Sequence, residues 1–334
     1  MKKNTIIRLV LLIALAIAAY FGYTYYEHNK VDSENFKLNK EIKPSYKDIG
    51  VFDGVLYFRD NNVLTAIDGQ SNLLFEKDLD EGILKVIYDK YIYLVYEDGN
   101  IQIINRKNGE VKGKKELESE IKFAEIRDKR LICYHDRGVS DLDLNLKNLA
   151  TSKYEYRPVK YFSKENTSSA IFLDRDVNVL KSRYEIRQDD KESFYISSID
   201  EAFLFNYDLG QNRQILMSSS HIYLIEDNSI KAKKLLVSPK SIAIRNNKIA
   251  VVDDSQLYIY DDKLNIIDEV KLGFTGQKVA IFENSIVIIG DKVVSSYEEG
   301  NLIKNQVENI MNYYIDDYGV YAIFEDRVER IKAY

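Results

Sequence analysis

The chain has 334 residues and sets 47 basic against 53 acidic side chains, a net charge of −6. Residues 1–30 carry +3 of this (Lys2, Lys3, Arg8 and Lys30 against Glu27) and the remainder −9, so nucleic acid and other polyanions are poor partners. A single cysteine, Cys133, excludes an intramolecular disulfide, and three prolines with fifteen glycines argue against a low-complexity chain.

The first predicted element is apolar. Residues 9–26 carry no charge over eighteen positions, about the length a helix needs to cross the hydrocarbon core. Lys2, Lys3 and Arg8 precede it, which keeps residues 1–8 in the cytoplasm and sends the rest of the chain outside. Tyr20, Tyr23, Tyr25 and Tyr26 crowd its far end, as an interfacial aromatic belt would. The alternative is a cleaved signal peptide, since Ala14-Leu15-Ala16 and Ala16-Ile17-Ala18 both fit a small-x-small site. Either way the remainder is exported. No cysteine follows the segment to carry a lipid anchor. Residues 27–35 form a short polar linker that keeps the exported part close to the membrane.

The next segment, 36–42, places Phe36, Leu38 and Ile42 on one face of a strand. From residue 51 onward a single pattern recurs. Eight apolar runs end in Asp60, Asp98, Asp136, Asp174, Asp227, Asp254, Asp291 and Asp326, at spacings of 38, 38, 38, 53, 27, 37 and 35. The irregular pair reads as one repeat that gained residues and a next that lost them. Upstream of six of the runs stands a second turn signal, as at Asp53-Gly54, Asp89-Lys90, Asp128-Lys129 and Asn246-Asn247. A third appears at Asn108-Gly109, Lys263-Leu264-Asn265 and Gly300-Asn301. Two hairpins and a third turn make four antiparallel strands per repeat, the size of a propeller blade. Tandem β-sandwiches explain the strands but not the returning register, and no helical stripe runs through the repeats.

The expected fold is therefore all-β: an eight-bladed β-propeller over 36–334, with seven blades as the alternative, preceded by one transmembrane helix. The last repeat ends after material for three strands, so segment 36–42 is expected to supply the fourth and close the ring. The stretch Glu185–Ser220 is the least regular and reads as either a functional insertion or an extended hairpin.

Chemistry is scarce. His28 lies in the linker, while His135 closes one strand and His221 opens another, with no metal-ligand spacing between them. Asp141-Leu142-Asp143-Leu144-Asn145 and Asp174-Arg175-Asp176-Val177-Asn178 begin like calcium loops but lack the following glycine, and the first reads better as a strand with Leu142, Leu144 and Leu146 on one face. The eight aspartates read as turn caps on one annulus of the ring. Cys133 reads as a small buried hydrophobe. The 26 tyrosines suit strands, and Tyr154, Tyr156 and Tyr161 suggest a contact surface before the fourth blade. No catalytic, cofactor or metal residue is assigned.

The pattern of apolar run, Asp/Gly turn, second strand and Asn-Gly turn, as in Tyr93–Val111, resembles the quinoprotein-like (PQQ-like) β-propeller repeat. Catalytic members of that family stack their cofactor on tryptophan, and this chain has none, so the resemblance implies no cofactor. It points to the non-catalytic, membrane-anchored propellers of bacterial envelopes. The expected function is a non-enzymatic platform for an envelope protein or small ligand. The alternatives are an envelope hydrolase or lyase with its site at one mouth of the ring, and a sensor that signals through a membrane partner.

Overall fold

The computed structural model describes residues 36–37 and 47–331, apart from 71, 165–166, 177–178, 190, 284, 307–309, 316–318 and 325–326. The segments 1–35 and 38–46 lie outside the described residues, and with them the expected transmembrane helix and most of strand 36–42. Among the described residues no helix is long and apolar enough to cross a membrane.

Those residues form eight four-stranded antiparallel sheets. Blade one comprises Lys47–Phe52, Val55–Asp60, Val63–Asp68 and Leu73–Asp78. Blades two to seven repeat that order, their first strands being Ile83–Tyr88, Phe123–Arg127, Lys160–Lys164, Phe203–Gly210, Ser241–Arg245 and Gly276–Ile281. Blade eight has Asn312–Ile315, Val320–Ile323 and Arg327–Ile331, and its fourth strand is Phe36–Lys37. Phe36 stands opposite Val328 and Lys37 opposite Arg327, so chain ends nearly 300 residues apart share one sheet.

Why the runs are continuously apolar is clear from blade six. Its second strand, Lys248–Val252, presents Ile249 and Val251 to blade five, while Ala250 and Val252 face blade seven. A strand buried on both faces needs apolar residues at every position, not at alternate ones. One hydrophobic cluster fills each gap between neighbouring blades, eight in all among the described residues. The last of these joins Val51, Leu56 and Phe58 of blade one to Tyr321, Ile323 and Val328 of blade eight, which closes the ring and rules out seven blades.

Tyrosine takes a second part beyond strand propensity. Tyr93 of blade two donates its hydroxyl to the Leu144 carbonyl of blade three at 2.8 Å, and Tyr88 donates back to the Asp48 carbonyl of blade one at 2.6 Å. Tyr313 of blade eight reaches the Gly290 carbonyl of blade seven at 3.1 Å. Each ring adds apolar area to a gap while its hydroxyl satisfies a neighbour's backbone. Cys133 packs toward blade two with no exposed surface, and burial pushes its thiol up to about 12.

The turns follow their residues. In Asp128-Lys129 and Asn246-Asn247 both central positions have positive φ (48° and 58°, 49° and 60°), the conformation a two-residue hairpin between twisted strands requires. Asp227-Asn228 shows the same geometry, at 47° and 56°. That turn joins the third and fourth strands of blade five, not the second and third. The irregular spacing therefore has a different origin from the one expected: Asp227 belongs to another turn, and no blade lost residues. Blade four is the long one, with strands Thr167–Asp176 and Val179–Gln188 of 10 residues each. The stretch Glu185–Ser220 holds the end of Val179–Gln188 and the strands Lys191–Ser198, Phe203–Gly210 and Arg213–Ser218, so it carries blade four into blade five through short connections and is not a loop insertion.

Candidate functional site

The antiparallel order puts the second-to-third turns and the blade-to-blade connections on one face of the ring. The first-to-second and third-to-fourth turns fall on the other. Asp60, Asp98, Asp136, Asp254 and Asp291 lie at second-to-third turns, whereas Asp174 sits within a strand and Asp326 lies outside the described residues. Asp227 is on the opposite face, so the aspartates do not share one annulus. They act locally: Asp98 accepts the Asn100 amide at 3.0 Å, and at the equivalent turn of blade six Asp253, not Asp254, accepts the Ser255 and Gln256 amides. Asp143 likewise accepts the Asn145 and Lys147 amides, both at 2.8 Å. The strand of the first calcium-like segment thus ends at Asp143, and Leu144 and Leu146 belong to its turn. Among the described residues no group of three or more His, Cys, Asp or Glu side chains is placed to hold a metal ion.

His135 and His221 occupy opposite ends of their strands, as expected, yet both reach the same face because consecutive strands run antiparallel. His221 Nδ1 stands 3.0 Å from Glu201 Oε1 and 3.0 Å from the Ser220 hydroxyl. The neighbouring Ser218 hydroxyl donates to Glu201 at 2.6 Å and not to the imidazole, so this cluster braces a turn. His135 is buried, with Nε2 2.8 Å from the Ser140 hydroxyl and Nδ1 2.8 Å from the Glu120 carbonyl.

The central channel encloses about 1090 Å³, lined by first strands of blades one, two, three, six, seven and eight. Two of its acids are paired. Asp48 pairs with Arg59 at 2.8 Å and Glu125 with Lys160 at 2.7 Å. Lys85 donates to the Ala124 carbonyl at 3.1 Å, and burial lowers its pKa. On the side of blades four and five, Arg127 lies 5.6 Å from the Phe162 ring centre and 5.3 Å from that of Phe205, and donates to the Tyr161 carbonyl and Asn206. With those two acids already engaged, the channel is a weak candidate for acid–base chemistry.

A second concavity, of about 510 Å³, opens at the rim of blade four. The first strand of that blade begins at Lys160, opposite Ile171, so residues 172–176 and 179–183 continue past it as a projecting hairpin. The groove lies between this hairpin and the segment 154–156. Arg187 stacks 4.0 Å over the Tyr154 ring, holds Glu185 at 2.7 Å and donates to the Lys153 carbonyl at 2.7 Å. Arg183 lies 5.0 Å from the Tyr195 ring centre and bridges Glu185 and Glu192. Around this fixed frame Tyr156, Ile199 and Tyr195 are 62%, 63% and 56% exposed. Large apolar side chains grouped at that exposure on one rim are the mark of a contact surface. Of the three tyrosines suggested by the sequence only Tyr156 is free to make contacts, since Tyr154 and Tyr161 are buried between blades three and four. Ile199 and Tyr195 were missed; their only signal is the extra length of blade four.

Eight closed antiparallel blades around a channel define the chain as a β-propeller. No family model and no curated protein sequence matches it. Solved structures do. A computationally designed protein, Ika8, superposes with a TM-score of 0.65 at 11% identity, over 90% of this chain and 100% of its own. BamB from Moraxella catarrhalis, a PQQ-like propeller, gives 0.56 at 12% identity, over 89% and 98%. Saccharomyces cerevisiae Sqt1 gives 0.58 at 10% identity, over 88% and 99%. At such identities the likeness is one of fold.

Proposed function

We propose that this chain is an extracytoplasmic protein-interaction platform, held at the membrane by residues 9–26, whose contact surface is the groove of blade four. The observation that carries the reading is the exposed set Tyr156, Tyr195 and Ile199 around a groove whose arginines are already fixed by ion pairs and ring stacking. Rigid aromatic and aliphatic anchors over a preorganised frame bind a protein surface at little entropic cost. The propeller likenesses support a scaffold, and the uncharged span after Lys2, Lys3 and Arg8 supports the anchor. The platform role needs no cofactor. The partner is an envelope protein presenting a complementary apolar segment.

The test is affinity capture of the tagged full-length protein after crosslinking in intact cells, compared with a Tyr156→Ser/Ile199→Ser variant. Loss of a reproducible envelope partner in the variant, with unfolding unchanged, supports the groove. Capture that is indifferent to both substitutions refutes it.

A further inference from the structure

A cavity of about 740 Å³ lies between blades two and three, on the face that carries the second-to-third turns. Its wall includes His135, Arg137, Gly138 and Ser140 of blade three, and the connection Leu117–Glu120 arriving from blade two. His135 ends the second strand, Arg130–His135, and Ser140 lies in the third, Gly138–Asp143, both toward blade two. We propose that Ser140 and His135 are a nucleophile–base pair for acyl transfer, acting on a short acyl ester bound in this cavity.

The argument rests on hydrogen-bond direction. The Glu120 carbonyl, 2.8 Å from His135 Nδ1, can only accept, so Nδ1 carries a proton. In the neutral ring Nε2 is then an acceptor, and the Ser140 hydroxyl 2.8 Å away donates to it. That is the tautomer and direction a base needs to take a serine proton, with a backbone carbonyl in the orienting place an acid occupies elsewhere. The orienting carbonyl is itself held. Leu117 N donates to the Gly99 carbonyl at 3.0 Å, Ile121 N to Glu97 at 3.0 Å and Lys122 N to Tyr134 at 2.8 Å, which fixes the connection on both sides of Glu120. Gly99 allows this approach, since a Cβ there would stand 2.7 Å from the Leu117 carbonyl oxygen. The exposed Arg137 lines the same cavity. His135 and Ser140 are 8% and 6% exposed, which limits the reacting group to a slim, flat carbonyl.

In the first step the Ser140 oxygen bonds to the ester carbonyl carbon as its proton passes to His135 Nε2. The carbon–alkoxy bond then breaks, and the imidazolium returns that proton to the leaving alcohol. Water repeats the sequence on the acyl-serine: His135 takes the water proton, the acid is released, and the proton returns to Ser140.

The experiment treats the folded full-length protein in detergent micelles with a fluorophosphonate probe, maps the adduct, and follows p-nitrophenyl acetate hydrolysis. The expected adduct is on Ser140. Ser140→Ala should abolish it and lower hydrolysis at least about a hundredfold, while circular dichroism shows the variant still folded. His135→Asn, which keeps an amide donor toward the Glu120 carbonyl but removes the base, should do the same. No adduct on folded wild type, an adduct only at another serine such as Ser152, or hydrolysis unchanged in Ser140→Ala would overturn the assignment.

Discussion

The Tyr134 hydroxyl of blade three accepts the backbone amide of Tyr161 in blade four at 3.0 Å, while donating to Glu125 at 2.7 Å. A side chain of one blade thereby satisfies a buried N–H of the next, which no strand of its own sheet reaches. Tyr134→Phe keeps the ring and orphans that amide. It is expected to cost about 1–3 kcal/mol, the range for an unsatisfied buried donor, read from chemical denaturation. An unchanged midpoint would mean water replaces the hydroxyl.

Asp141 is fully buried and pairs with Arg130 at 2.9 Å, and the Ser163 hydroxyl of blade four donates to the same carboxylate oxygen. Truncation to alanine leaves a guanidinium without its partner. Asp141→Ala should destabilise by about 3–5 kcal/mol, and the double variant Arg130→Met/Asp141→Leu should recover much of that. Urea midpoints of the three proteins make the comparison.

Glu201 supplies an acid-side pH dependence. Burial raises its pKa, but hydrogen bonds from Ser218 and Tyr223 and the nearby His221 and Lys233 outweigh burial, so the net pKa falls below the ordinary 4.5. A depressed folded-state pKa gives stability that is present above the unfolded value and lost as pH drops through the folded one. Melting curves should weaken below about pH 4.5, and Glu201→Gln should flatten that limb while lowering stability at neutral pH.

Much of the ring was legible in the sequence because turn chemistry is local. Asp, Asn and Gly mark positions where the chain must adopt positive φ or accept its own amides, and these recur once per blade whatever the packing. The same locality misplaced Asp227, since an Asp-Asn pair makes the same hairpin at either end of a blade. The contact surface was only partly legible. Tyr154 and Tyr156 are two residues apart in one loop, yet only the packing of blade three on blade four decides that the first is buried and the second exposed. The Ser140–His135–Glu120 geometry left no motif at all, because it joins a strand, a hairpin and a blade connection through a backbone carbonyl.

Closure by Phe36–Lys37 predicts an edge effect. Deleting these two residues removes their pairing with Arg327 and Val328 and opens the edge of blade eight. A loss of about 1–2 kcal/mol is expected, with faster aggregation on heating than for the intact chain. Light scattering during a thermal ramp separates the two effects.

The platform reading is tested most directly by a photo-crosslinking residue placed at Tyr156 in living cells, with Ile230, an exposed residue on the outer strand of blade five, as the control position. The account predicts one discrete crosslinked envelope protein from position 156 and none from position 230. Identical patterns from both positions, or no adduct at 156, would contradict it.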